Sequence, residues 1–247
     1  MTYPIGEMRA TIFTSPIVYD SNNLKRVGEL LLEEDGFIPN QITAVQLVPG
    51  LNVPIPTGGV PTEWELFSEK RQLRIHFGPQ KIDVIKSSFR QEQTVGYEPT
   101  LCNWALDFFV CLMNRFSLVS TRLAFAPTYT PDWTKDFNRE RFNESIYKKS
   151  PFKGSQIANL LFKQVFRVNE RLVDREILFN YVAEASEGQN FVETPDKQSV
   201  TIKQMLNLSL DINTSQSHGY QFTLDEVKDF FNKAPKYAED FLAYYTL

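Results

Sequence analysis

The chain has 247 residues, a length that fits one large domain or two small ones. Hydrophobic residues make up 42% and charged residues 23%, which is apolar material enough for a packed core and excludes a disordered chain. The net charge of −4 argues against a dedicated nucleic-acid binder, which carries a basic excess.

The N-terminal stretch MTYPIGEMRATIF has no basic start followed by a long apolar run, so it does not read as a secretory signal. Within it, residues 8–14 read as a first strand. Residues 21–35 read as a helix with Leu24, Val27, Leu30 and Leu31 on one face, and Gly36 stands where a helix C-terminus favours glycine. QITAVQLVPG then reads as a strand and LNVPIPTGGVPT as a loop. Gly58 and Gly59 lead to Pro61, not to the Gly-Lys-Ser/Thr that a phosphate cradle needs.

Three short strands follow, in TEWELFS, RQLRIHFG and QKIDVIKSS. Leu73, Ile75 and Phe77 alternate with Gln72, Arg74 and His76, the period of a half-buried strand, and Gly78-Pro79 supplies a turn. Arg74 and His76 are therefore expected on the face opposite the core.

Residues 97–117 carry the strongest helical pattern. Leu101, Ala105, Phe108, Phe109, Leu112, Met113 and Phe116 recur at helical spacing, and Trp104, Leu106 and Val110 add a second apolar side. The expectation is a helix buried nearly all round. Asn103, Asp107, Asn114 and Arg115 interrupt it too often for a membrane span. Cys102 and Cys111 lie on this helix about 13.5 Å apart along its axis, too far for a disulfide. They read as two buried free thiols in a reducing, cytoplasmic setting.

VSTRLAFAPTY reads as a strand with Val119, Leu123 and Phe125 inward and Arg122 outward. Residues 130–156 form a polar segment expected to hold one short helix. Residues 157–172 fit two periods, a helix through Ile157, Leu161, Val165, Val168 and Leu172, or a strand from about 162. The strand is favoured because REILFNYVAEAS follows as a natural hairpin partner. Either way Lys163, Arg167 and Arg171 share one face.

From Val200 the alternation is clearest: Ile202, Leu206, Leu208, Leu210 and Ile212 against Thr201, Lys203, Asn207, Ser209 and Asp211. This predicts a strand with Asp211 and Asn213 on its polar face. TSQSHG, with His218, reads as the link to the last helix. A Ser-His-Asp site would need three converging side chains and an oxyanion hole; polar residues of a strand end and turn need no such explanation. Thr223 and Glu226 look like a capping box. Val227, Phe230, Phe231, Ala234, Ala238, Phe241 and Tyr245 form the apolar stripe of a helix that Pro235 is expected to kink.

These elements predict an α+β fold, antiparallel sheet packed on two long apolar helices. The chain reads as a single domain, 1–247, that divides into similar sheet-plus-helix halves, 1–117 and 118–247. Two histidines and two cysteines, none clustered, predict neither a metal site nor a cofactor.

The layout resembles a sporadically distributed family of bacterial proteins of similar length that has no assigned function. The segments that carry the resemblance are EWELFSEKRQLRIHFGPQKIDVI, the Arg-centred strand STRLAFAPTY, and the C-terminal run LNLSLDINTSQSHGYQFTLDEVKDFFNKAPKYAEDFLAYYT. Where that family tends to have Arg-Tyr-Ile-Asn, this chain has Ala126-Pro127-Thr128-Tyr129. The resemblance implies a fold and brings no activity, cofactor or catalytic residue.

The candidate site is the polar sheet face carrying Arg74, His76, Arg122, Lys163, Arg167 and Arg171. Three readings follow. The first is a non-catalytic interaction or regulatory module of a bacterial multi-protein system, of antitoxin, immunity or accessory-subunit type, that binds an acidic protein partner. The second is an enzyme or sensor of a small anionic ligand using Arg74, His76 and Arg122. The third is nucleic-acid binding through a local basic patch. The expected partner is a protein before a nucleic acid, with no membrane, and the reading admits a homodimer.

Overall fold

The computed structural model describes residues 5–16, 25–29, 37–42, 45–46, 55–56, 63–87, 95, 98–130, 161–193 and 200–246. The strands are β1 (Ile5–Thr14), β2 (Ile38–Ile42), β3 (Val45–Gln46), β4 (Ile55–Pro56), β5 (Glu63–Ser68), β6 (Leu73–Gly78), β7 (Lys81–Ser87), β8 (Ser120–Tyr129), β9 (Leu161–Leu172), β10 (Arg175–Glu193) and β11 (Val200–Thr214). The long helices are α1 (Glu98–Phe116) and α2 (Leu224–Thr246). Residues 25–29 are helical, with Val27 buried. The helix expected over 21–35 otherwise lies outside the described residues, as do residues 43–44 and 47–50 of the strand expected over 41–50, most of the 51–62 loop and all but Thr130 of the 130–156 segment expected to hold a short helix.

Nine strands form one sheet in the order β2-β5-β6-β7-β1-β8-β11-β10-β9, and every pairing in it is antiparallel. β3 and β4 pair separately. The strands before α1 fill one side of the sheet and those after it the other. The seam is the β1–β8 pairing, where Ala10 faces Phe125 and Ile12 faces Leu123. The ambiguous 157–172 segment is a strand from Leu161. It turns through Val173-Asp174 into β10, with Val173 at φ 53°, a costly conformation for a β-branched residue. Asp229 of α2 steadies that turn by accepting from the Val173 amide at 2.8 Å.

One face of the sheet is apolar. Met8, Ala10, Ile12, Ile75, Phe77, Leu123, Phe125, Phe179, Leu210 and Ile212 are buried on it, beneath the two helices. α1 and α2 also pack on each other, with Phe109 5.3 Å from Phe231, ring to ring. Neither helix is apolar all round. α1 exposes Asn103, Asp107, Cys111 and Asn114, so Cys102 is buried while Cys111 is exposed, not buried as expected. α2 is apolar on one side only, its outer side carrying Asp225, Lys228 and Asp240, and it runs continuously through Pro235. The expected capping box is present: the Thr223 amide donates to Glu226 at 2.8 Å and the Glu226 amide to Thr223 Oγ1 at 3.3 Å. Val119, expected inward, is 40% exposed because β8 begins one residue later. No helix among the described residues is long and apolar enough to cross a membrane.

Candidate functional site on the polar face of the sheet

The two helices lie on the apolar face, and the opposite face carries most of the sheet's polar side chains, several of them buried, among them Thr11, Asp83 and Asn213. Antiparallel register sets them in cross-strand rows, where facing residues interact directly. One row runs Arg167, Asn180, Asn213, Ala124, Thr11, Asp83, His76, Glu65 from β9 to β5. Hydrogen bonds run along it. Asn180 Nδ2 donates to Asn213 Oδ1 at 3.0 Å, and Thr11 Oγ1 donates to Asp83 Oδ1 at 2.7 Å. His76 lies between two carboxylates, its Nδ1 3.3 Å from Asp83 and its Nε2 3.2 Å from Glu63.

That arrangement fixes the charges. Hydrogen bonding to Asp83 raises His76 above its ordinary value, burial opposes this, and Glu63 adds to the rise. Burial alone would push Asp83 up, but bonds from His76, Lys81 and Thr11 outweigh it and hold the carboxyl down to about 2. Lys81 Nζ is 2.9 Å from Asp83. Asp83 is thus a fully partnered buried charge.

A groove of about 370 Å³ crosses β1, β8, β11 and β10, walled by Arg9, Arg122, Lys163, Glu184, Ser209 and Asp211. Its cations are mostly neutralised in place: Arg9 by Glu7 at 3.1 Å and Lys163 by Glu184 at 3.0 Å. Arg122 has no carboxylate partner among the described residues. Its guanidinium lies 4.8 Å from the centre of the Phe13 ring, and its Nε is buried without an acceptor. Asp211 Oδ1 is likewise buried without a partner. Burial pushes the Asp211 carboxyl above its ordinary value, while Asn213, Arg122, Lys163 and Arg9 pull the other way.

The six residues expected from sequence all lie on this face, but they do not converge. Arg74 and His76 are on β6, three strand steps from Arg122 on β8, about 14 Å at the usual spacing. Lys163, Arg167 and Arg171 line the outer face of β9, a further three steps away. Lys163 reaches the groove. Arg171 sits at the hairpin end, bonded to the Val173 carbonyl at 3.3 Å and Asp174 at 3.4 Å. Arg74, like Arg122, has a buried Nε without an acceptor. Arg74, Arg122 and Arg167 are the guanidiniums of the set with no carboxylate partner among the described residues.

Sequence reasoning missed Arg9, Thr11 and Asp83. One signal was available: a two-residue turn at Pro79-Gln80 pairs Gly78 with Lys81, which places Asp83 opposite His76. His218 is remote from the groove's chemistry. It stacks on Tyr220 with centroids 5.3 Å apart and lies 3.0 Å from Ser217 Oγ, in a single 3₁₀ turn capped by Ser215. No carboxylate orients it among the described residues, and no three His, Cys, Asp or Glu side chains there form a metal-binding group.

No family model matches the chain, and no curated protein matches it.

Proposed function

We propose that the protein is a non-catalytic binding module and that the polar face of its sheet receives an acidic segment of a protein partner. The observation that carries this reading is the spread of guanidiniums that form no ion pair among the described residues. Arg74, Arg122 and Arg167 lie on β6, β8 and β9 of one sheet face. They span six strand steps, about 29 Å, the reach of an extended protein segment and far beyond a small ligand. Buried donors without acceptors carry a free-energy cost that a partner's carboxylates or carbonyls would remove. Bidentate geometry makes arginine well suited to that role. In the groove, a partner amide could accept from Arg122 and donate to Asp211 Oδ1 together. Carboxylates are interleaved throughout, Glu63, Glu7, Glu184 and Asp211 among them; a nucleic-acid backbone, charged at every phosphate, would meet all of them, whereas a protein segment can set its few carboxylates opposite the arginines alone.

Neutralising the three arginines together tests the reading. R74Q/R122Q/R167Q is expected to fold with a nearly unchanged melting temperature. It should lose the protein that co-purifies with the wild-type chain from nuclease-treated extract at about 0.15 M salt. The wild-type association should weaken at higher salt, because exposed charges are screened over about 8 Å at physiological ionic strength. Equal recovery with the triple variant, or an association that nuclease abolishes, overturns it.

A further inference from the structure

A second pocket lies on the other face of the sheet, at the β9 edge, where α2 leaves an open space of about 420 Å³. That is within the range of small-ligand sites. Five aromatic rings wall it: Phe166 of β9, Tyr181 of β10, and Tyr237, Phe241 and Tyr244 of α2. The last three recur at i, i+4 and i+7, so one helix stripe presents them together.

The rings stand at steep angles. Phe166 meets Phe241 at 90° and Tyr244 at 74°, with centroids 6.0 Å apart in both pairs. Tyr181 meets Tyr237 at 81° and Phe241 at 74°. Near-perpendicular rings turn their faces to several sides of the space between them. The mouth is open to water, with Phe166 37% and Tyr244 62% exposed.

The charges in the lining are both negative, Glu170 and Asp240. Asp240 is shared with Lys236. Glu170 accepts the Tyr181 hydroxyl at 2.8 Å and has no cationic partner among the described residues. The phenols register the same field. Burial and then Glu170 hold the Tyr181 proton far above its ordinary range, and burial, Glu170 and Asp229 push Tyr237 up to about 12.

We infer that this pocket is an aromatic cage for a small organic cation bearing a methylated ammonium group. Such a cation donates few or no hydrogen bonds, so it is not held by ordinary polar sites. Ring faces attract it through their negative quadrupole, and a nearby carboxylate adds to that attraction. An anionic ligand is repelled by Glu170. A neutral apolar ligand would gain from the rings and nothing from the carboxylate. The site is distinct from the polar sheet face and does not depend on its function.

Titration of the full chain with choline, followed by aromatic fluorescence or by chemical shifts of the tyrosine rings, tests the inference. Its neutral isostere 3,3-dimethyl-1-butanol is the control. Saturable choline binding is expected, at least about tenfold tighter than the isostere. Phe166→Ala and Tyr244→Ala should each abolish it with the melting temperature nearly kept, since both rings stand partly in water. Glu170→Gln retains an acceptor for the Tyr181 hydroxyl and should weaken choline about tenfold while leaving the isostere unchanged. A peptide carrying trimethyllysine distinguishes the source of the cation. Tighter choline assigns the cage to a free compound, and a tighter peptide assigns it to a modified protein. Absence of saturable choline binding, equal affinity for the isostere, or full choline affinity in Glu170→Gln overturns the inference.

Discussion

 Asp83 and Asp211 sit on the same face of the same sheet, each one strand step from the β1–β8 seam, Asp83 on β7 beside β1 and Asp211 on β11 beside β8, yet their surroundings are opposite in kind. Asp83 is fully partnered, by Thr11, His76 and Lys81. Asp211 keeps an oxygen buried and unbonded, beside an Arg122 whose Nε is in the same condition. Buried polar groups are normally satisfied, and one that is not asks for an explanation. A satisfied carboxylate holds the sheet together. An unsatisfied oxygen beside an unsatisfied arginine, in a groove, is the place where the proposed partner would complete the bonding.

The largest expected effect breaks the satisfied side. Asp83→Asn removes the carboxylate that His76, Lys81 and Thr11 share, and leaves their donors facing a neutral amide. Removing one partner of a buried ion pair costs about 3–5 kcal/mol. Thermal melts at neutral pH should show a loss at the lower end of that range, since Lys81 is partly exposed. A loss below about 1 kcal/mol, the range of ordinary surface changes, would remove the distinction between the two carboxylates.

The pH profile of stability sharpens it. Asp83 falls from an ordinary 3.8 to about 2, so its contribution is complete above 3.8 and is lost as pH falls through about 2. The size is about 2 kcal/mol, at about 1.4 per pKa unit. His76 is raised above 6.5, so its contribution is complete below 6.5 and is lost as pH rises through the folded value. Wild type should therefore lose stability at both ends, and Asp83→Asn should flatten both slopes. A variant whose profile parallels wild type would show that the row does not act as a unit.

Sequence showed the elements of this comparison better than their assembly. The alternation after Val200 placed Asp211 outward, and the alternation around Ile75 placed His76 outward, because a strand's period of two is a local property. Hairpin neighbours were also legible, β6 with β7 and β9 with β10, since short turns leave no other partner. The insertion of β11 between β8 and β10, and the meeting of β1 with β8, were not. The pairings of β8 with β11 and with β1 join residues distant in sequence, such as Asn213 with Ala124 and Thr11 with Ala124, and no local pattern encodes them. The unpaired oxygen of Asp211 depends on that assembly, so the sequence could give its direction and not its isolation. Cys111 shows the reverse error: a helix rich in apolar residues was read as buried all round, although one stripe faces water.

The smallest expected effect is on Asp211 itself, and its sign is the test. Burial raises its folded value above 3.8. The ionised form is therefore disfavoured in the folded chain, and the penalty is absent below 3.8 and complete above the folded value. Asp211→Asn keeps the shape and removes the charge, so at neutral pH the melting temperature should stay equal or rise, where Asp83→Asn lowers it. Acidification should narrow the difference between Asp211→Asn and wild type, because the wild-type carboxyl then becomes neutral too. The same substitution exchanges an acceptor for an amide that both donates and accepts, so association with an acidic partner through Arg122 should persist while its pH dependence shrinks. A clear loss of stability in Asp211→Asn would mean that the Asn213 hydrogen bond and the charges of Arg122, Lys163 and Arg9 outweigh the cost of its burial, and the groove would then hold two satisfied acids in place of one satisfied and one waiting.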